Sequence, residues 1–371
     1  MKVGIVTFHR AHNCGAMLQC LALVTVLQRM GHDVRVLDCN NVGEGILFPN
    51  VRNPRVWLGW LYRLVVSGAL SQRLWFRYWC FMKRFFPMTK KIDIGEHLGM
   101  EFDKIVLGSD QVLNPLITGR FLQTFLLKDI CCDEKKIAYA ASFGLSTLPD
   151  SYRQIFATQL SKFKALGIRE ESGVKICTDE LQLSAPLAVT VDPTLLLDAD
   201  VYKNFETFVN EQDEYVLVYW IGYSTEYIMA LAKRIAKLYG IKVVVAAIVP
   251  FKGGKSWRTI SPGEFLYLVR NAKIVVTTSF HGTSFAVINR KPFVTVIPSG
   301  LNVADRIVGL LQQLSLSSQI VNEGDFMSDD ILRAKLDVDF SAAEENLCAI
   351  RQMSLNFLNA ELGPAEVLHF Q

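Results

Sequence analysis

Residues 273–286 read KIVVTTSFHGTSFA, and they put one imidazole at a place where α/β proteins commonly hold ligands. The run Ile274, Val275, Val276 has the apolar, β-branched character of a buried parallel strand. It stops in hydroxyl residues, then His281-Gly282, and Thr283 and Ser284 open an apolar helical run through Ile288. A strand's carboxyl end beside a helix N-terminus favours an anion, through free N–H groups and the helix dipole. Ser279, Gly282 and Thr283 would add donors, and a histidine there can exchange a proton near neutral pH. The plain alternative is an imidazole that caps the helix or fills a niche.

Three more segments pair a polar residue with the end of an apolar run. In FDKIVLGSDQVLNP (102–115) a buried strand ends in Gly108-Ser109-Asp110-Gln111, with Asn114 one turn on. Asp110 could take a proton from a hydroxyl, and Gln111 and Asn114 could bond sugar hydroxyls; otherwise Asp110 caps a helix. In KALGIREESGV (164–174) Arg169 follows a strand, where it suits a carboxylate or phosphate, or pairs with Glu170 or Glu171. In HRAHNCGAMLQ (9–19) Asn13 and Gly15 suit a tight strand-to-helix loop, with Gly15 allowing close approach of a ligand. VTVDPTLLLD (189–198) reads as structural, Asp192-Pro193 ending a strand and starting a crossover. There is no GxGxxG, Walker loop, HExxH or GxSxG, and nothing calls for a metal or cofactor.

These residues need a scaffold, and the chain alternates short apolar strands with helical stretches throughout. Strands are expected at Lys2–Phe8, Val34–Asp38, Lys104–Leu107, Lys136–Ala141, Ala165–Ile168 and Leu187–Val191. The alternation restarts near 200, with strands at Glu214–Trp220, Lys242–Ile248, Lys273–Thr277 and Pro292–Ile297. The pattern predicts parallel sheets with right-handed crossovers, in two Rossmann-like halves around a cleft. We read 1–195 and 196–335 as these two domains, and 336–371 as a helical tail whose helix, about 341–358, could pack back across the cleft. The 371 residues suit two domains, and a net charge of +3 is too small to argue for nucleic acid. The N-terminus reads as a strand rather than a secretory signal, and eight scattered cysteines read as reduced thiols. A cytoplasmic protein is expected. The closing AEVLHFQ resembles a protease-site remnant and is set aside.

One segment interrupts the alternation. From 45 to 92 there is no Asp or Glu, but there are nine Lys and Arg residues, interleaved with Trp57, Trp60, Trp75, Trp79 and several Phe and Tyr. Such a helical insertion suits peripheral contact with an anionic membrane through 52–91, or it packs on the first domain with its arginines paired elsewhere.

Taken together the segments resemble the polysaccharide pyruvyl transferase family. The carrying residues are TFHRAHNCGAMLQ, GSDQVLNP, YAASFG, GIREESG, VDPTLLLD, and TTSFHGTSFAVI followed by KPFVTV, from residue 3 to about 315. The resemblance implies a fold like the B-type glycosyltransferases, with the acceptor on the first domain and the donor on the second. It implies that phosphoenolpyruvate, a co-substrate, gives its pyruvyl group to two hydroxyls of one sugar as a cyclic ketal. The acceptor would belong to a bacterial surface glycan, with a precursor linked to polyprenyl diphosphate as the expected form. Read onto this chain, His281, Asp110 and Arg169 are the catalytic candidates. Arg169, Ser279, His281, Gly282, Thr283 and Arg306 would hold the donor, and Asn13, Gly15, Asp110, Gln111 and Asn114 the acceptor. Some members carry Arg two residues before the motif His; here that position is Ser279, and Arg258, Arg290 and Arg306 are the candidates to compensate. A nucleotide-sugar glycosyltransferase of the same fold is the alternative, with Glu264 its only loose candidate for reading a ribose. A non-catalytic relative is a third reading.

Overall fold

The computed structural model describes residues 1–39, 74–92, 101–128, 130, 132–220, 225–246, 255–256, 260–299 and 304–363. Seven strands form the first sheet: β1 (Lys2–Val6), β2 (Asp33–Cys39), β3 (Met88–Ile92), β4 (Lys104–Leu107), β5 (Lys136–Ala141), β6 (Ala165–Ile168) and β7 (Leu187–Val189). Six form the second: β8 (Tyr215–Tyr219), β9 (Lys242–Ala246), β10 (Lys255–Ser256), β11 (Ile274–Thr277), β12 (Phe293–Ile297) and β13 (Ile320–Asn322). Every pairing is parallel. The orders are β3-β2-β1-β4-β5-β6-β7 and β10-β9-β8-β11-β12-β13. Numbered from its own first strand, the second sheet runs 3-2-1-4-5-6, the Rossmann order, and the first runs the same with a seventh strand at its edge, so the two Rossmann-like halves expected from the alternation are present. In such a sheet the strand order reverses beside the first strand. Here those crevices lie between β1 and β4, and between β8 and β11.

Among the described residues the helices of eight or more residues are α1 (Cys14–Arg29), α2 (residues 74–85), α3 (Asp150–Leu160), α4 (Thr225–Tyr239), α5 (Pro262–Asn271), α6 (Phe280–Ile288), α7 (Ala304–Gln313), α8 (Asp329–Leu336) and α9 (Ser341–Leu362). Two of them lack a solvent-facing polar stripe because they are covered along most or all of their surface. Thirteen of the 16 residues of α1, CGAMLQCLALVTVLQR, are buried, as are all nine of α6. One hydrophobic cluster joins Leu21 and Leu27 of α1 to Phe265 of α5 and Phe285 of α6, so an apolar seam binds the domains beneath the polar cleft.

Terminal helix α9 crosses back to the first domain. Ser354 Oγ accepts from Val191 N at 2.9 Å, and Arg351 donates to the carbonyls of Leu195 and Leu197 and, at 2.6 Å, to Asp198. Lys164 and Glu361 pair at 3.1 Å. The segment expected as one basic aromatic insertion is composite: its described part holds α2 and then edge strand β3, which pairs with β2. Arg52, Arg55, Trp57, Trp60, Arg63 and Arg73 lie outside the described residues. Among the described residues no helix is long and apolar enough to cross a membrane.

Candidate active site

The turn after β11 is built from its hydroxyls. Thr277 Oγ1 donates to the Tyr219 carbonyl at 2.6 Å and accepts from Ser279 N at 3.0 Å. Ser279 then caps α6, its Oγ accepting from Gly282 N at 3.4 Å. Gly282 lies so close to Thr277 Oγ1 and the Tyr219 ring that a Cβ would overlap them. Thr283, expected to face a donor, instead spends its hydroxyl inside the domain, on the Ser279 carbonyl at 3.0 Å and Thr295 Oγ1 at 2.8 Å.

This turn aims His281 across the domain boundary. Its side chain is 8% exposed, and its Nε2 lies 3.6 Å from Asp192 Oδ2 without a hydrogen-bond partner. On its other side the ring meets Gly15, the second residue of α1. A Cβ there would overlap imidazole Nδ1. The space that Gly15 leaves is thus filled by His281 and not left for a ligand, which corrects the sequence expectation for this glycine. Asn13 is the cap of α1, accepting from Gly15 N at 2.8 Å and Ala16 N at 3.3 Å. Gly15→Ala is therefore expected to displace His281. Overpacking of this kind costs about 1–3 kcal/mol, and a shift of about 1 Å in a reacting group lowers turnover ~10²-fold. Thermal melting and turnover measured on the same preparation check both; unchanged turnover would contradict the contact.

Arg169 is the hub of the cleft. Nη1 donates to Asp192 Oδ2 at 2.7 Å, and Nη2 reaches Asp110 Oδ1 at 3.4 Å. Its guanidinium carbon sits 4.7 Å from the Phe280 ring centroid, next to His281. Nε has no hydrogen-bond partner, with Glu170 Oε2 3.9 Å away. Burial alone would raise the Asp192 carboxyl; His281, Arg169 and the hydrogen bonds of Thr194 hold it well below the usual carboxylate range. Ser109 Oγ lies 3.4 Å from the same Asp192 oxygen and 3.0 Å from Gln19 Oε1. Asp192 thus ties the His281 turn, Arg169 and the β4 loop together, where the sequence suggested only a strand end.

Asp110 takes a left-handed conformation (φ 72°), which Asp tolerates better than most residues. Its carbonyl accepts from Ser142 N at 2.9 Å. Gln111 and Asn114 bond each other at 3.2 Å, and Asn114 Oδ1 also caps the short helix Pro115–Thr118 at 3.0 Å. Glu170 Oε1 gathers Ser142 Oγ and the N–H groups of Phe143 and Gly144.

Of the three arginines that are candidates to replace one at Ser279, Arg258 lies outside the described residues, and Arg290 pairs with Glu344 on the surface. Arg306 lines a cavity of ≈ 630 Å³ together with Arg169, Asp192 and Phe280. Burial, then the charge of Arg169, lowers Arg306 to about 10, so it stays cationic at neutral pH. No carboxylate of the described residues forms a salt bridge with it. Asp110 and His281 do not line this cavity; Arg169 and Asp192 join it to them. Glu264, the candidate for reading a ribose, is occupied. It completes the capping box of α5 and pairs with Arg77. Among the described residues no cluster of His, Cys, Asp or Glu could hold a metal ion.

Two parallel Rossmann-like sheets with polar residues gathered at the carboxyl ends of strands from both define a two-domain α/β protein with its candidate site between the domains. Within that class, the sequence pattern described as polysaccharide pyruvyl transferase matches residues 13–300. The chain belongs to the polysaccharide pyruvyl transferase family, a family of transferases. No curated protein matches it. Among solved structures it is similar to a UDP-GlcNAc 2-epimerase from Methanocaldococcus jannaschii (12% identity, 96% of this chain and 100% of that one, TM-score 0.48). A glycosyltransferase from Rickettsia africae (10%, 97% and 96%, TM-score 0.46) and MurG of Acinetobacter baumannii (10%, 98% and 99%, TM-score 0.42) are also similar.

Proposed function

We propose that this transferase moves the pyruvyl group of phosphoenolpyruvate onto two hydroxyls of one hexose in a bacterial surface glycan, forming a cyclic ketal and releasing phosphate. Family membership supports the transferred group and the class of acceptor. The observation that carries the reading is His281: a buried imidazole, unpartnered at Nε2, held between Gly15 and Asp192. In the proposed reaction His281 gives a proton to the enol methylene while a sugar hydroxyl bonds to the central carbon and passes its proton to Asp110. The bond from that carbon to the phosphate oxygen then breaks. The second hydroxyl closes the ring, and its proton leaves with phosphate. Asp110 and His281 return to their starting states by net transfer of one proton between them.

The donor carries a phosphate and a carboxylate. Arg169 is already committed to Asp192 and Asp110, so we assign the larger share of donor charge to Arg306. Gln111 and Asp110 stand at the acceptor side of this reading, and the acceptor is a repeat unit carried on polyprenyl diphosphate. The reaction as proposed uses no metal or cofactor.

Phosphate release from phosphoenolpyruvate, measured with galactose-, glucose- and mannosamine-type acceptors, free and lipid-linked, tests the reading. Release should depend on the acceptor. Arg306→Ala should raise KM for phosphoenolpyruvate ~10–100-fold, the effect of losing a charged hydrogen bond. No release with any acceptor, alongside binding of a nucleotide sugar, would contradict it.

A further inference from the structure

Helix α2 turns six exposed side chains the same way: Trp75, Phe76, Trp79, Cys80, Lys83 and Arg84. Their spacing (i, i+1, i+4, i+5, i+8, i+9) is one helical stripe. Trp75, Phe76 and Trp79 are 44, 57 and 37% exposed. Trp79 stacks with Trp75 at 6.1 Å and with Phe76 at 6.2 Å between centroids. Isolated apolar residues on a surface need no explanation, but three adjoining large aromatics do. The charge on this face is of one sign. No acid occurs from 45 to 92, and no carboxylate of the described residues pairs with Lys83 or Arg84.

The opposite face of α2 is fixed. Tyr78, Phe81 and Met82 are buried, and Tyr78 Oη lies 3.1 Å from Cys14 Sγ, one residue before Gly15. Arg77 is held by Glu264 of the second domain. Arg77 is thereby spent within the protein, although the sequence offered it to a membrane. A helix pinned to both domains presents its outer stripe as a rigid surface.

We propose that this stripe docks the protein on an anionic lipid bilayer, with Trp75, Phe76 and Trp79 at the headgroup–acyl boundary and Lys83 and Arg84 on lipid phosphates. Indole rings favour that boundary, and cations within a Debye length of an anionic leaflet are attracted to it. Docked so, the bilayer lies on one side of α2 and the Gly15–His281 contact on the other. The inference is independent of which group is transferred.

Flotation with phosphatidylglycerol–phosphatidylcholine vesicles, against phosphatidylcholine alone, tests it on the full chain. Wild type should float with the anionic vesicles and be released by high salt. Lys83→Glu/Arg84→Glu should lower the bound-to-free ratio at least ~10-fold. Trp75→Ser/Trp79→Ser should also weaken binding, with melting temperature unchanged in both variants because the replaced side chains are exposed. A charge-matched control on other surfaces, Lys203→Glu/Lys237→Glu, should bind as wild type does. Equal flotation of all variants, no flotation of wild type, or a dimer in solution that the Trp75/Trp79 variant dissolves would each overturn the proposal.

Discussion

His281→Ala should lower turnover ~10²–10⁴-fold, the range for losing a positioned proton donor, while the protein stays folded. The fold should tolerate the change because Nε2 makes no hydrogen bond within the protein, Asp192 standing 3.6 Å away, and the ring sits at the domain boundary, not within either sheet's core. A buried polar nitrogen without a partner is unusual. Its position 3.6 Å from Asp192, which Arg169 also holds, gives it a reacting group as its natural partner. Turnover and thermal melting of the variant decide the matter. Retained turnover would remove His281 from the chemistry, and a collapsed melting transition would make it a structural residue.

Asp192→Ala should have the largest effect on stability. Asp192 is 1% exposed and accepts from Arg169 at 2.7 Å, Thr194 N at 3.0 Å and Thr194 Oγ1 at 2.7 Å. Removing it leaves the buried Arg169 cation with only the longer contacts to Asp110 and Glu170. Breaking a buried pair from one side costs about 3–5 kcal/mol. Asp192→Asn, which keeps an acceptor for Thr194, should cost less. The pH dependence has a definite sign. Because folding depresses this carboxyl, its contribution is complete above the ordinary aspartate value of about 4 and is lost as pH falls through the lower folded value. Urea unfolding of wild type and Asp192→Asn across acid pH should show the wild-type advantage disappear on acidification. An advantage that grows as pH falls would contradict the assignment.

How much of this was legible depends on where each signal lies. The inner strands were plain because both faces are covered, so YVLVY and IVVT read as unbroken apolar runs. Three edge strands, β3, β10 and β13, were missed. They are short, pair on one side only, and in MTKKI carry two lysines. At the site, Asp110, Arg169 and His281 stood out because each closes or follows an apolar strand run. Asp192 also follows a strand, but the proline after it reads as a break in the chain. Its contact to Arg169 joins the ends of the paired strands β6 and β7 within the first domain, and its contact to His281 arises only when the two domains meet. A carboxylate at the carboxyl edge of a parallel strand was the available signal. Gly15 failed for the same reason: sequence shows that space is left, and only the tertiary fold shows that an imidazole fills it.

The most direct test of the central claim is the structure of the product. After incubation with phosphoenolpyruvate and a competent acceptor, mass spectrometry and carbon-13 NMR should show one pyruvyl ketal per sugar, its quaternary carbon bonded to two sugar oxygens, with one phosphate released for each. His281→Ala should form none. Phosphate released while the sugar returns unmodified, or an acceptor extended only when a nucleotide sugar is supplied, would contradict the account.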